Sequence, residues 1–388
     1  MLFRSFYKAC LFLLFAGVTA CVRRPLPLEP IAMRSTTLPI SAVATAPVIP
    51  RQLPLLPTTM AFTEKHSAKE VTILYERAYE ELARMLDGRY PLSFKRAVYL
   101  TENAYLEDQL DYRRFNASIS RLARICKTVE RTNTTRLLYS FKDKENVLRN
   151  ATLVKLLKDS IHFTNGQILI PYSYDFEDFN GDQDWSNMFV SKLLITHSGN
   201  CHSLPFLYKI LADETGAATW LALAPNHIYL KQHNEKDGWY NTELTSYTFP
   251  NDAWLMASGY ISKETIVSGI YMDTLSAKQN ITLCLLDLAK GYERKVGPAA
   301  SEAFKLKSTT LALSYFPQYI NAQLLRAETL RYQFERQRNT IAAQQAYNEM
   351  ESAYTRIIET GYREIPVQMY SDWLQLVKQE KEKFQTKH

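Results

Sequence analysis

A cysteine near the middle of the chain, Cys201, stands where a helix is predicted to begin. Gly199 precedes it, Pro205 suits a first helical turn, and apolar spacing predicts a helix from Ser203 to Glu214. The unpaired N–H groups and the dipole at a helix N-terminus stabilise a thiolate, which is the nucleophilic form of cysteine. The pattern therefore indicates a cysteine that can attack a carbonyl carbon.

Two more groups are needed: a general base within hydrogen-bond reach, and a polar group that orients the ring of that base. His227 opens a predicted strand, and the turn at 234–238 returns the chain, so that a second strand can lie antiparallel beside it. On the returning strand Asn241 and Glu243 share one face, because side chains alternate with period two. We predict His227 as the base, with either Glu243 or Asn241 as its partner.

These three parts resemble the transglutaminase-like superfamily of papain-like cysteine domains. That superfamily has a Gly-x-Cys at a helix start, a His on the next strands and an Asp soon after a Trp. The matching stretches occur in the same order as Gly199-Asn200-Cys201, Asn226-His227-Ile228-Tyr229 and Trp239-Tyr240-Asn241-Thr242-Glu243-Leu244-Thr245. The resemblance covers only about residues 184–259, and its third member departs from the family, because Glu243 or a papain-like Asn241 replaces the Asp.

The resemblance implies a cysteine hydrolase or acyltransferase that acts on a peptide or protein amide and needs no cofactor. Cys201 would form a thioester, while His227 activates the thiol and then protonates the leaving amine. The N–H of Cys201 would help to hold the oxyanion, with Trp185 or Asn187 as the second donor. The alternative function is a non-catalytic scaffold that has lost activity and binds envelope proteins through its helical repeats.

Metal sites are the less favoured interpretation of two other stretches. His197, Cys201 and His202 lack the spacing of finger-type zinc sites, and the two histidines fit local polar roles better. The acidic and aromatic stretch at 172–182 does not reproduce an EF-hand loop, so a solvated loop is favoured over a calcium site. We therefore predict no bound metal.

The first residues have the layout of a bacterial export signal. Residues 1–20 carry Arg4 and Lys8, no acid, and an apolar run shorter than the about 20 residues that span a membrane. The run ends in Val18-Thr19-Ala20-Cys21, which resembles a lipobox and implies cleavage before Cys21 and its lipidation. This predicts a lipoprotein anchored on the exported side of the cell envelope; a plain signal peptide or a single anchor helix is the alternative.

The number and spacing of the cysteines agree with an exported lipoprotein. If the signal is removed and Cys21 is lipidated, Cys126, Cys201 and Cys284 remain. An odd number of widely spaced cysteines argues against a disulfide framework. Cys126 lies on a helical apolar stripe, so we expect it in the core.

The rest of the chain divides by composition and periodicity. Residues 21–62 are a tether, because eight of the sixteen prolines lie there. A helical region at 63–170 and a transglutaminase-like core at 171–275 follow. The predicted fold class is α+β, since a helix is followed by three strand-like runs, namely 219–224, 227–232 and 238–244.

The last part, residues 276–388, is predicted to be helical. Residues 299–327 have the spacing of paired antiparallel helices around Pro317, and 357–366 resembles a second copy. Degenerate tetratricopeptide-like repeats and a plain helical bundle both fit this pattern. A protein partner on these helices is possible, whereas a net charge of only +6 and the lack of a basic stripe argue against nucleic acid.

Overall fold

A computed structural model describes residues 66–133, 138–337 and 341–364, together with a few isolated positions between 368 and 382. The predicted signal peptide, the lipidation site Cys21 and the tether at 21–62 lie outside these residues. The described elements combine many helices with small sheets, so the fold is mixed α and β. None of the described helices is both long enough and apolar enough to cross a membrane.

The first described elements are helices that pack on one another. They are α1 (Ala68–Leu86), α2 (Phe94–Tyr105), α3 (Tyr112–Asn133) and α4 (Lys144–Lys158). A capping box between Ser67 and Glu70 begins α1. The predicted apolar stripe of α3, from Phe115 to Cys126, is buried.

Short strands and two helices follow, and they carry the candidate site. In chain order they are β1 (Ile161–His162), β2 (Ile168–Leu169), β3 (Ser173–Tyr174), α5 (Val190–Thr196), β4 (Ser198–Gly199), α6 (Ser203–Thr215), β5 (Trp220–Ala224), β6 (His227–Asn234) and β7 (Gly238–Thr242). The strand β1 pairs antiparallel with β2, whereas β3 pairs parallel with β4. The three longer strands form an antiparallel meander in the order β5, β6, β7, as predicted.

The pairing register of the three-stranded meander sets the backbone position of His227. Ala224 pairs with His227, so the chain reverses through residues 225 and 226, and Asn226 adopts a left-handed φ of 53°. Asn234 pairs with Gly238 at the far end, and Gly238 takes a φ of 75°, which suits glycine. His227 is therefore held at the first position of β6, next to a tight turn.

Helices make up the rest of the described chain. They are α7 (Asp252–Ser258), α8 (Lys263–Val267), α9 (Ala277–Val296), α10 (Glu302–Tyr315), α11 (Ile320–Arg336) and α12 (Ile341–Glu359). The predicted pair around Pro317 is confirmed as α10 and α11, which pack together, and α12 packs along α11. Whether these helices are tetratricopeptide-like remains a prediction.

The large hydrophobic core of the described residues extends from Val71 to Ile357, and Val147 and Leu148 form a small separate cluster. An aromatic cluster joins the two ends of the large core: the ring of Tyr292 on α9 lies 4.9 Å from Tyr75 on α1 and 4.7 Å from Phe304 on α10. The core also holds two cysteines, Cys126 and Cys284, and burial raises the pKa of both thiols. These thiols are therefore poor nucleophiles.

Candidate active site

The turn that carries Cys201 is held by the side chain of Asn200. Its Oδ1 accepts the backbone N–H groups of His202 and Ser203, each at 3.0 Å, and its own N–H donates to Ser203 Oγ at 3.1 Å. Asn200 thus acts as the cap of α6, although the regular helix begins at Ser203. As predicted, Cys201 lies at the start of this helix, partly exposed.

Gly199 has a steric role in front of the cysteine. A Cβ at this position would lie 2.5 Å from Ser203 Oγ and 2.8 Å from Leu193 Cδ1, closer than real side chains approach. The absence of a side chain therefore lets the strand β4 pass tightly between α5 and α6. This close approach fixes where the following two residues, including Cys201, are placed.

His227 and Glu243 form a buried pair beside the cysteine. His227 Nε2 lies 2.5 Å from Glu243 Oε2, and the two residues are only 7% and 2% exposed. The other oxygen, Glu243 Oε1, accepts the N–H of Thr245 at 2.7 Å. The carboxylate is thus held in place by the backbone and can fix the orientation of the ring.

The side chains of Cys201 and His227 also interact with each other, and each shifts the pKa of the other. Because Nε2 of the ring contacts Glu243, Nδ1 is the nitrogen that can face the thiol. The sulfur lies 3.8 Å from the carbonyl oxygen of Asn226, which is in the turn before His227. The structure therefore brings three of the predicted residues, Cys201, His227 and Glu243, into one connected group.

His227 connects the charges of the other two groups. Burial opposes ionisation of Cys201, but the hydrogen bond and charge of His227 bring the pKa of the thiol below its usual value. Burial likewise disfavours charge on His227, yet the Glu243 carboxylate is the main cause that raises its pKa to about 10. The His227 charge in turn lowers the pKa of the buried Glu243. Both shifts favour the charged forms, a thiolate at Cys201 and an imidazolium at His227, relative to the same groups without each other.

Asn241 does not join this group. Its Nδ2 donates to the carbonyl of Pro250 at 3.0 Å and to Asp252 Oδ1 at 2.7 Å, and so ties β7 to the start of α7. The register places Asn241 opposite Lys231, four residues along β6 from His227, so Asn241 does not reach the ring. Glu243, rather than Asn241, is the residue in contact with the histidine.

The two predicted oxyanion donors have other partners. The Nδ2 group of Asn187 donates to the carbonyl and the carboxylate of Asp178, at 3.2 and 2.8 Å. The guanidinium carbon of Arg294 lies 4.2 Å from the ring centre of Trp185, which packs against α9. The contacts in the structure thus do not place either side chain at Cys201.

Tyr174 is a site residue that the sequence did not reveal. Its buried side chain interacts with that of Cys201 and helps to lower the pKa of the thiol. It comes close because β3 lies parallel to β4, with Tyr174 opposite Gly199. Since this pairing links distant parts of the chain, the only local signal was an aromatic residue in the acidic stretch at 172–182.

The possible metal ligands have structural partners. Asp175 and Asp178 accept backbone N–H groups of their own loop. His197 stacks on Tyr172 with ring centres 4.4 Å apart, whereas His202 pairs with Asp287. Within the described residues no group of three or more His, Cys, Asp or Glu side chains could hold a metal ion.

Comparison with known proteins gives no family model, no curated protein and no solved structure that matches the chain. The functional conclusion therefore depends on the geometry around Cys201.

Proposed function

We propose that the protein is a cysteine hydrolase or acyltransferase that acts on a peptide or protein amide through a thioester at Cys201. The observation that carries this proposal is the connected group formed by Cys201, His227 and Glu243. A nucleophile, a base and a residue that orients the base are the parts that this chemistry needs. Their order and the helix start also support a transglutaminase-like core.

The thiolate of Cys201 attacks the carbonyl carbon of the amide and forms a tetrahedral oxyanion. The proton held by His227 passes to the amine, the carbon–nitrogen bond breaks, and a thioester remains. Water or a second amine then gives up a proton to His227 and attacks the thioester, and this regenerates the thiolate. Glu243 keeps the ring oriented and stabilises its positive charge in both steps.

Two donors are available for the oxyanion in this scheme. The N–H groups of His202 and Ser203 already donate to Asn200, so the N–H of Cys201 is the donor that we assign from this turn. We assign the hydroxyl of Tyr174, which interacts with the Cys201 thiol, as the second donor. It takes the place that the sequence had suggested for Trp185 or Asn187.

The test is alkylation of the purified full-length protein with iodoacetamide, followed by mass spectrometry of each cysteine peptide. We expect Cys201 to react faster than a model thiol at pH 7, because a thiolate is the reacting form. Cys126 and Cys284 are buried and serve as slow internal controls. The variant His227→Ala should slow the reaction of Cys201, and Cys201→Ala should abolish the labelled peptide.

A negative result has a clear meaning. If Cys201 reacts no faster than a model thiol and His227→Ala changes nothing, the protein is better explained as a non-catalytic scaffold. In that case the helices from residue 276 onward become the part to test for binding to envelope proteins.

The anchor is proposed on the lipobox-like sequence alone, and it would hold the protein at the bacterial cell envelope. Replacing Cys21 by Ser removes the thiol that would carry the diacylglyceryl group. We expect Cys21→Ser to leave the membrane fraction and to lose incorporation of labelled palmitate. Full retention in membranes would argue for an uncleaved anchor helix.

A further inference from the structure

His202, the residue that follows Cys201, has two short contacts from its ring. Its Nε2 lies 2.9 Å from Asp287 Oδ2 on α9, and its Nδ1 lies 2.9 Å from the carbonyl oxygen of Met188. The side chains of His202 and Asp287 are each 17% exposed. The pair is therefore largely shielded from solvent.

These two contacts determine the protonation state of the His202 ring. A backbone carbonyl only accepts hydrogen bonds, and so does an ionised carboxylate. A neutral imidazole has one N–H, so it could satisfy only one of the two acceptors. Both contacts are hydrogen bonds at the same time only when both nitrogens of His202 carry a proton, which gives the ring a positive charge.

The charged groups around His202 agree with this protonation state. Burial disfavours the charged ring, but the charge and hydrogen bond of Asp287 and the carbonyl of Met188 raise the pKa of His202 overall. The buried carboxyl of Glu102 on α2 also interacts with His202, while its oxygens cap α5. In the turn that carries His202, the neighbouring titratable group is the thiol of Cys201.

We propose that His202 is a positively charged positioning residue for Cys201, kept charged by Asp287 of α9. This rests on the proposed function, because it explains how the thiolate is maintained. The thiol of Cys201 then interacts with two imidazolium groups, His227 and His202, and each of these is paired with a carboxylate. Helix α9 therefore contributes to the active site as well as to the packing of the helical region.

The variant Asp287→Asn tests this electrostatic role. A charge within a few ångströms shifts a pKa by about one to three units, so loss of the His202 charge should raise the thiol midpoint. We expect the pH–rate profile for iodoacetamide alkylation of Cys201 to move up by about one unit, and the rate below the midpoint to fall about tenfold. A merely structural role for Asp287 would change the melting temperature without moving this profile.

The matched control is Glu293→Gln. Glu293 lies on the same helix and forms an ion pair with Lys305 of α10, so the variant also removes a carboxylate charge from α9. We expect it to leave the pH–rate profile where it is in the unchanged protein. Equal profiles for Asp287→Asn and Glu293→Gln would overturn the proposal.

A second measurement does not depend on the folding of Asp287→Asn. In the full-length protein labelled with ¹⁵N-histidine, a His202→Gln spectrum assigns the ring signals of His202. We expect both ring nitrogens to show protonated shifts at pH 7.5, and a neutral ring would overturn the proposal. Since this reports the charge of His202 directly, it can hold even if Cys201 proves unreactive and the proposed function fails.

Discussion

At the scale of single residues, the pair formed by His227 and Glu243 controls the chemistry of Cys201. A buried histidine is normally neutral, because burial penalises its charge. The Glu243 carboxylate at 2.5 Å reverses that preference and raises the pKa of His227 to about 10. Glutamate, being one methylene longer than the aspartate of the family pattern, reaches the ring from just beyond the end of β7.

We expect Glu243→Gln to slow alkylation of Cys201 at pH 7 by at least about tenfold, since the pKa of His227 would fall towards about 6.5. Stopped-flow measurement of the alkylation rate between pH 5 and 10 checks this. Asn241→Ala is the control, because Asn241 contacts Pro250 and Asp252 and not the histidine. If Asn241→Ala slows alkylation of Cys201 more than Glu243→Gln does, our assignment of the orienting residue is wrong.

At the scale of elements, the site is assembled by short segments that approach one another closely. The strand β4 is only two residues long, yet it connects α5 to the turn before α6 and pairs with β3. Because Gly199 leaves no room for a side chain, this strand has a direct effect on the position of Cys201.

Gly199→Ala should therefore lower the free energy of unfolding by about 1–3 kcal/mol, the usual cost of forcing extra atoms into a packed site. Urea denaturation followed by circular dichroism measures this change. Ser198→Ala, at the adjacent position of β4, adds no atoms and should stay close to the unchanged protein. Equal stability of the two variants would mean that the side chains of Ser203 and Leu193 move aside at little energetic cost.

Glu102 links α2 to the start of α5, where its two oxygens accept the N–H groups of Val190 and Ser191 at 2.6 and 2.9 Å. Burial is the largest influence on this carboxyl and raises its pKa to about 7. An exposed glutamate has a pKa of about 4.3, so the folded chain binds this proton more tightly than the unfolded chain. The resulting stabilisation is complete below about pH 4.3 and is lost as the pH rises through 7.

Glu102→Gln cannot titrate, so its free energy of unfolding should fall less between pH 5 and 8 than that of the unchanged protein. The expected difference is roughly 2 kcal/mol over this range. Urea denaturation at four pH values measures it, with the exposed Glu145→Gln on α4 as the control. Parallel pH curves for Glu102→Gln and the unchanged protein would contradict the assigned titration.

At the scale of the whole molecule, the helices on either side of the site share one core. The aromatic cluster of Tyr75, Tyr292 and Phe304 packs α1 against α9 and α10. Helix α9 also carries Asp287, which contacts His202 next to the candidate nucleophile. A substitution that disturbs this packing should therefore affect the candidate site as well as the contacts among α1, α9 and α10.

We expect Tyr292→Ala to lower the free energy of unfolding by about 3–5 kcal/mol, the usual cost of removing a buried aromatic side chain. Unfolding of the described part should remain a single transition by both circular dichroism and tryptophan fluorescence. Tyr260→Ala, at a residue 54% exposed, should have a much smaller effect. Two separate transitions, with only one shifted by Tyr292→Ala, would show that the helical regions fold independently.

Several features could be predicted from the sequence because their signals are local. The apolar periods predict α1, α3 and α6, alternation and turn residues predict the meander, and Pro317 marks the gap between α10 and α11. The order of Cys201, His227 and Glu243 along the chain was also sufficient to propose that they meet. The export signal and Cys21 depend on sequence alone.

The tertiary structure decided which side chains meet, because those contacts join residues far apart in the chain. It distinguishes Glu243 from Asn241 through the register of β7 on β6, and it brings Tyr174 to Cys201 through a parallel pairing of β3 with β4. It also brings Asp287 to His202 across 85 residues. The sequence by itself predicted a nucleophile and its base; only the packing of distant segments determined which charged groups surround them.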